Sequence, residues 1–249
     1  MDIILFNDTG SWIHRLDPRA RLIGATILTV LLSQMTALPV LGWGCALGVV
    51  GLLVARVPLA AILQRLVPLN ALLILLFLVL LFTTPGDALF RIGSVVATGD
   101  GFYRAMGILL KANSIVLILT SLIGTIEFVA LGRALEQLHV PAKLVNILLF
   151  TVRYIDLMLT EYERLSQAAL LRGFQPGANP HTLRTIGYLI GMVLVRSYER
   201  GGRMVEAMKL RGYDGTLRWA HPTAFRTQDF GFLAGVTGIA LVLLGVGWR

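Results

Sequence analysis

The seventeen residues from Leu66 to Phe82 contain one strongly polar side chain, Asn70. A run that long and that apolar matches the ~17–25 residues a helix needs to cross a bilayer. Leu22 to Leu38, Val40 to Ala55, Met106 to Ile126 and Phe230 to Trp248 repeat the pattern. The first two are broken at Pro39 and Gly42 and read as a tight hairpin. Ile186 to Val195, ten residues, is too short to cross and reads as part of a helix lying on one membrane face. With 56% hydrophobic and 14% charged residues and a mean hydropathy of +0.76, the chain is too apolar for an ordinary soluble domain. The expected fold is all-α: a polytopic membrane protein of about five transmembrane helices with a separate set of amphipathic helices. Its regions are 1–126 (four spans), 127–228 (amphipathic helices) and 229–249 (a final span).

Charge orients the spans. Glu127 to Gln228 holds thirteen lysines and arginines against eight acids, so it is expected in the cytoplasm, and five spans then place the N-terminus there too. Arg15, Arg19, Arg21, Arg56 and Arg65 fall on the same side, and Thr83 to Ala105 forms an outer loop without evident chemistry. The formal net charge of +8 suits anionic headgroups of the lipid bilayer rather than nucleic acid, because the arginines are interleaved with apolar periodicity. The first residues carry Asp2 and Asp8 and lack the small-residue site of a removed signal peptide. Cys45, the single cysteine, excludes a disulfide framework within one chain.

Inside the basic stretch the sequence repeats itself. Arg164 to Gly177, RLSQAALLRGFQPG, aligns without gaps on Arg203 to Thr216, RMVEAMKLRGYDGT. The two share Arg164/Arg203, Ala168/Ala207, Leu171/Leu210, Arg172/Arg211 and Gly173/Gly212, and an aromatic follows each glycine, Phe174 or Tyr213. Upstream, Ile155, Met158, Leu159, Tyr162, Leu165 and Ala169 recur at helical spacing, as do Gly201, Met204, Val205 and Met208. An earlier helix around Glu127 to His139 stops at Pro141, and another follows it. Each repeat therefore reads as the end of an amphipathic helix, with glycine as the left-handed residue after the cap and arginine near the negative end of the dipole. One such ending is ordinary punctuation. Two, matched both upstream and downstream, point to equivalent docking on two copies of a partner or to an internal structural repeat. The planar guanidinium fork suits such an anchor better than an ammonium.

Other chemistry finds little support. His14, His139, His181 and His221 are dispersed without metal-ligand spacing, so neither a metal site nor a cofactor is expected. The sequence has no phosphate-binding P-loop and is not expected to bind ATP. Gly231 and Gly235 suit helix packing, and Asn70 and Lys111 are polar residues within spans, the latter placed to snorkel. A membrane enzyme using His14, Asp17 or the Glu161/Glu163 pair is a weaker alternative, since carboxylates on amphipathic helices are ordinarily solvated.

On the paired LLRGF and KLRGYDG ends, and on the lead-in Ser11 to Leu22, SWIHRLDPRARL, the chain resembles the T component of energy-coupling factor (ECF) transporters, EcfT, and within it the CbiQ type of cobalt and nickel systems. The resemblance spans nearly the whole chain. The family's paired signature is often written Ala-Arg-Gly, and here Leu171 and Leu210 hold the alanine position. The resemblance implies a non-catalytic subunit of the inner membrane that couples two ABC ATPase subunits (CbiO-like) to a substrate-binding membrane subunit (CbiM-like), with a small accessory subunit (CbiN-like) as a further partner. It implies that Arg172 and Arg211 each enter a groove on one ATPase. Gly173 and Gly212 would allow close backbone approach, and Ala168 and Ala207 would keep the helix ends slim. Cobalt or nickel uptake is the favoured activity. A vitamin importer of the same class and a conventional ABC permease subunit, with its single coupling loop, are the alternatives.

Overall fold

A computed structural model describes Ile13 and residues 16–85, 88–92, 95–215 and 225–247, with backbone alone for 88–97 and for Gly247. Among these residues eight helices follow one another: α1 (Pro18–Gln34), α2 (Leu38–Ala55), α3 (Leu59–Thr83), α4 (Gly99–Leu122), α5 (Phe128–Gln137), α6 (Ala142–Leu171), α7 (Pro180–Leu210) and α8 (Thr227–Gly247). Between α3 and α4 runs an antiparallel ribbon of β1 (Ala88–Ile92) and β2 (Val95–Thr98), inside what the sequence suggested was a plain loop. The chain divides into two compact units, Met1–Leu131 with Thr223–Arg249, and Gly132–Pro222.

The fold is all-α apart from that ribbon, and it is that of a polytopic membrane protein. Leu38–Ala55, Leu59–Thr83, Gly99–Leu122 and Thr227–Val246 are long and apolar enough to cross a bilayer. The remaining expected span, α1, has 17 residues and carries Arg19 and Arg21 in its first turn. Its break from α2 falls at residues 35–37 and not at Pro39 and Gly42. Pro39 lies in the first turn of α2, where its missing N–H has no helical acceptor to lose. The fourth span starts at Gly99 instead of Met106. The Thr98 hydroxyl accepts from Gly101 N–H, and Asp100 sits in the first turn at the positive end of the dipole. Lys111 consequently lies halfway along α4, not near its start, and its ammonium donates to the Ser33 carbonyl at 2.8 Å.

Helices of the first unit pack through small residues. Cβ atoms placed on Gly44, Gly48 and Gly51 would come within 2.7 Å of Leu32, 2.6 Å of Leu117 and 2.9 Å of Ser121, so α2 packs tightly on α1 at Gly44 and almost backbone to backbone on α4 at Gly48 and Gly51. Leu32, Leu41, Val40 and Ser114 are fully buried there. The Ser114 hydroxyl lies 2.7 Å from the Leu110 carbonyl and 3.1 Å from that of Leu41. Polar pairs tie α3 to α4. Asn70 and Asn113 exchange amide hydrogen bonds of 3.0 and 2.9 Å while each also donates to the carbonyl four residues back. This satisfies two amides that lipid could not. Further along the same two helices, the Arg65 guanidinium donates to the Thr120 hydroxyl at 3.1 Å.

At the N-terminal end of α1 a second polar cluster gathers three elements. Asp229, 1% exposed, accepts the backbone N–H groups of Asp17 and Arg226, both at 2.8 Å. Asp17 in turn caps α1 by accepting from Arg19 N–H. Buried Arg21 donates to the Leu122 carbonyl at the end of α4 and to the Thr125 hydroxyl. His14, named with Asp17 in the enzyme alternative, lies outside the described residues.

The second unit is built on two long helices. The helix expected after Pro141 is α6, which runs unbroken for 30 residues, and α7 absorbs Ile186 to Val195 into 31. Glu161, 8% exposed, forms an ion pair with Arg196 of α7. That pairing accounts for the carboxylate structurally, against the catalytic alternative. The apolar stripe of α6 is wider than its partner covers. Met158, Leu165 and Ala169 are half-buried, whereas Ile155, Leu159 and Tyr162 are exposed.

Candidate functional site: two matched helix ends

The repeated segments end two helices in the same way. At α6, Arg172 is the C-cap with φ −89° and ψ 14°, and Gly173 follows at φ +85°. At α7, Arg211 is the C-cap with φ −93° and ψ 11°, and Gly212 follows at φ +83°. The hydrogen bonds match as well. Gly173 N–H donates to the Leu170 carbonyl at 3.0 Å and Phe174 N–H to that of Ala169 at 3.1 Å; Gly212 donates to Lys209 and Tyr213 to Met208, both at 3.0 Å. Both are Schellman ends, and the left-handed residue explains each glycine. Nothing lies within 4 Å of where a Cβ would be on either, so backbone conformation alone, and no neighbour in this chain, demands them.

The aromatic after each glycine is also explained locally, which the sequence did not reveal. Phe174 packs on His181 with ring centroids 6.3 Å apart, and Asn179 caps the start of α7 by accepting from Thr182 N–H at 3.0 Å. Tyr213 is held by Asn146, whose amide donates to the tyrosine oxygen at 3.0 Å and to the Gly215 carbonyl at 3.2 Å. Asn146 is buried in α6 and no sequence pattern singled it out.

Local structure does not explain the rest. Leu171 and Leu210 are each 90% exposed, an extreme value for so apolar a side chain. Ala168, Arg172, Ala207 and Arg211 are exposed beside them, and neither guanidinium has a hydrogen bond or ion pair among the described residues. Each helix therefore ends in an apolar residue followed by a free cation, at positions 39 residues apart. Along α6 the Arg172 end opens on a groove of about 550 Å³ that reaches Tyr188 and Arg196 of α7. Such a tip can enter an apolar groove and present a guanidinium fork to carboxylates or carbonyls inside it. Of the dispersed histidines, His139 lies in the turn after α5 at φ +64° and His181 serves the α7 turn, while His221 lies outside the described residues.

The model of the family described as "CbiQ: Cobalt transport protein" matches residues 9–221, which include both helix ends. This chain belongs to the CbiQ family. Relatives align with most of the chain. It is 28% identical over 219 residues to the energy-coupling factor transporter transmembrane protein EcfT of Bacillus subtilis (strain 168), covering 82% of each chain. It is 25% identical over 251 residues to the protein of that name from Acidaminococcus fermentans, covering 95% of this chain and 91% of the relative. A third, from Heliobacterium modesticaldum, is 24% identical over 250 residues. As a CbiQ-family protein the chain is the T component of an ECF transporter, a membrane subunit that is not catalytic on its own.

Proposed function

We propose that this CbiQ-family protein couples two ATPase subunits to a substrate-binding membrane subunit, with the end of α6 docked on one ATPase and the end of α7 on the other. The observation carrying this reading is the pairing of two helix ends alike in dihedral angles and hydrogen bonds, each leaving a leucine 90% exposed beside an arginine without a partner among the described residues. Ala168 and Ala207 leave the approach to each tip narrow, and Gly173 and Gly212 turn the chain away just behind it. ATP-driven closure of the ATPase pair would move the two helix ends relative to one another. The helices would carry that motion to the substrate-binding subunit.

In this reading the second unit faces the cytoplasm of the inner membrane, as its excess of basic residues favours. The cargo is Co2+ or Ni2+, as the family's description as a cobalt transport protein favours, and a CbiM-like subunit with a CbiN-like accessory chain would select it. A vitamin would be the cargo in the alternative reading, which the EcfT relatives leave open because their names specify no metal. Purifying the tagged chain from its native membrane and identifying what accompanies it tests the assignment. Two ATPase copies and one substrate-binding membrane protein are expected. Recovery with a single integral partner and an extracellular binding protein would instead favour a conventional permease.

A further inference from the structure

The helices of the first unit differ in reach. At ~1.5 Å per residue, α1 and α2, with 17 and 18 residues, extend only ~25–27 Å, whereas α3 and α4, with 25 and 24, extend ~36–38 Å. The shortfall lies at one end. Beside Gly107 of α4 the space is closed by Leu38 and Leu41, 3.8 and 4.0 Å from where a Cβ would be, and these belong to the first turn of α2. Gly101 lies against α3 instead, with the Leu80 carbonyl 2.7 Å from its Cβ position. From Gly107 back to Gly99, about eight residues or ~12 Å, α4 thus rises with α3 above the turn that joins α1 to α2.

Above that turn the structure holds a cavity of about 640 Å³, within the size range of ligand sites. Leu38, Leu41 and Leu80 line it with Tyr103, Arg104 and Lys111. No carboxylate lines it among the described residues. Among the described residues Lys111 makes one hydrogen bond, to Ser33, and so keeps donors to spare. Arg104 is exposed and makes no hydrogen bond or ion pair among the described residues.

In a bilayer whose hydrocarbon core is ~30 Å thick, a step of this depth cannot stay empty, and two cations recessed below the ends of their neighbours favour a negative charge between them. We infer that the recess over the α1–α2 turn binds an anionic glycerophospholipid, its phosphate held by Lys111, Arg104 and the Tyr103 hydroxyl and its acyl chains lying on Leu38, Leu41 and Leu80. Charge complementarity selects the headgroup, and the apolar wall selects a lipid over a soluble phosphate.

Native mass spectrometry of the full purified chain, offered equimolar phosphatidylglycerol and phosphatidylcholine with the same acyl chains, tests this. The chain should retain phosphatidylglycerol with a preference of roughly thirtyfold, since each of the two cations near the headgroup contributes about one kcal/mol. The double variant Lys111→Gln/Arg104→Gln should lose that preference, Lys111→Arg should keep it, and Arg56→Gln, at the opposite end of α2, should leave it unchanged. Equal retention of the two lipids would overturn the proposal, as would persistence of the preference in the double variant. Displacement of the lipid by excess glycerol 3-phosphate would equally overturn it, because the recess would then be a site for free phosphate.

Discussion

Gly173 and Gly212 hold φ values of +85° and +83° with open space around them, so an alanine at either meets only conformational strain. Gly173→Ala and Gly212→Ala should each cost about 1–2 kcal/mol, seen as a lower melting temperature of the purified protein, with Asn in place of Ala costing less. An unchanged melting temperature would mean that neither end needs its left-handed residue. The adjacent arginines separate the two explanations of the repeat. If Arg172 and Arg211 only complement helix dipoles, a contribution of about 0.3–1 kcal/mol at exposed ends, then Arg→Lys is nearly silent. If they dock as planar forks, Arg172→Lys or Arg211→Lys should impair ATP-driven uptake even where the ATPases still bind. The glycines were legible because few residues tolerate that backbone. Phe174 and Tyr213 were not, because their partners, His181 and Asn146, occupy positions that no local pattern links to them.

The elements were legible where hydropathy decides them and less so where capping does. Apolar runs located α2, α3, α4 and α8. The start of α4 was missed because Thr98 and Asp100 begin that helix before its apolar stretch does. Helix contacts were hidden for a different reason. The glycines of α2 have the spacing of a close packing face, but nothing in α4 announces Leu117 as the side chain that faces Gly48. That contact makes its own prediction. Gly48→Ala would place a methyl 2.6 Å from Leu117 and 3.4 Å from the Ile118 backbone nitrogen, and should cost about 1–3 kcal/mol by pushing α2 from α4. Gly42→Ala, which meets nothing within 4 Å, should be neutral in the same thermal unfolding measurement. A second tie is polar. Asp229→Ala would leave the amides of Asp17 and Arg226 without their acceptor, at about 1–3 kcal/mol for a buried unsatisfied group. Asp229→Asn, which retains one acceptor oxygen, should be milder. Equal melting temperatures for both variants and the parent would remove this cluster from the account of how α8 is held to α1.

For the molecule as a whole, the proposed orientation places the α6 and α7 ends in the cytoplasm. In a Cys45→Ala background, Val95→Cys should react with an impermeant maleimide in intact cells, and Gln175→Cys only after permeabilisation. Labelling of position 175 from outside would reverse the topology and remove both helix ends from the compartment where ATP is hydrolysed. The coupling role itself rests on Arg172 and Arg211 together. Truncating one partner of a buried, hydrogen-bonded charge pair costs roughly 2–5 kcal/mol, and reversing the sign places a carboxylate in a site shaped for a guanidinium. Each single Arg→Glu variant should therefore bind the ATPases more weakly and transport poorly. The deciding measurement is a pull-down of the ATPase subunits, read beside substrate uptake, with the double variant Arg172→Glu/Arg211→Glu. Loss of the ATPases and of uptake, with the variant still folded in the membrane, is the expected result; ATPase recovery and uptake equal to the parent would contradict the role assigned to these two helix ends.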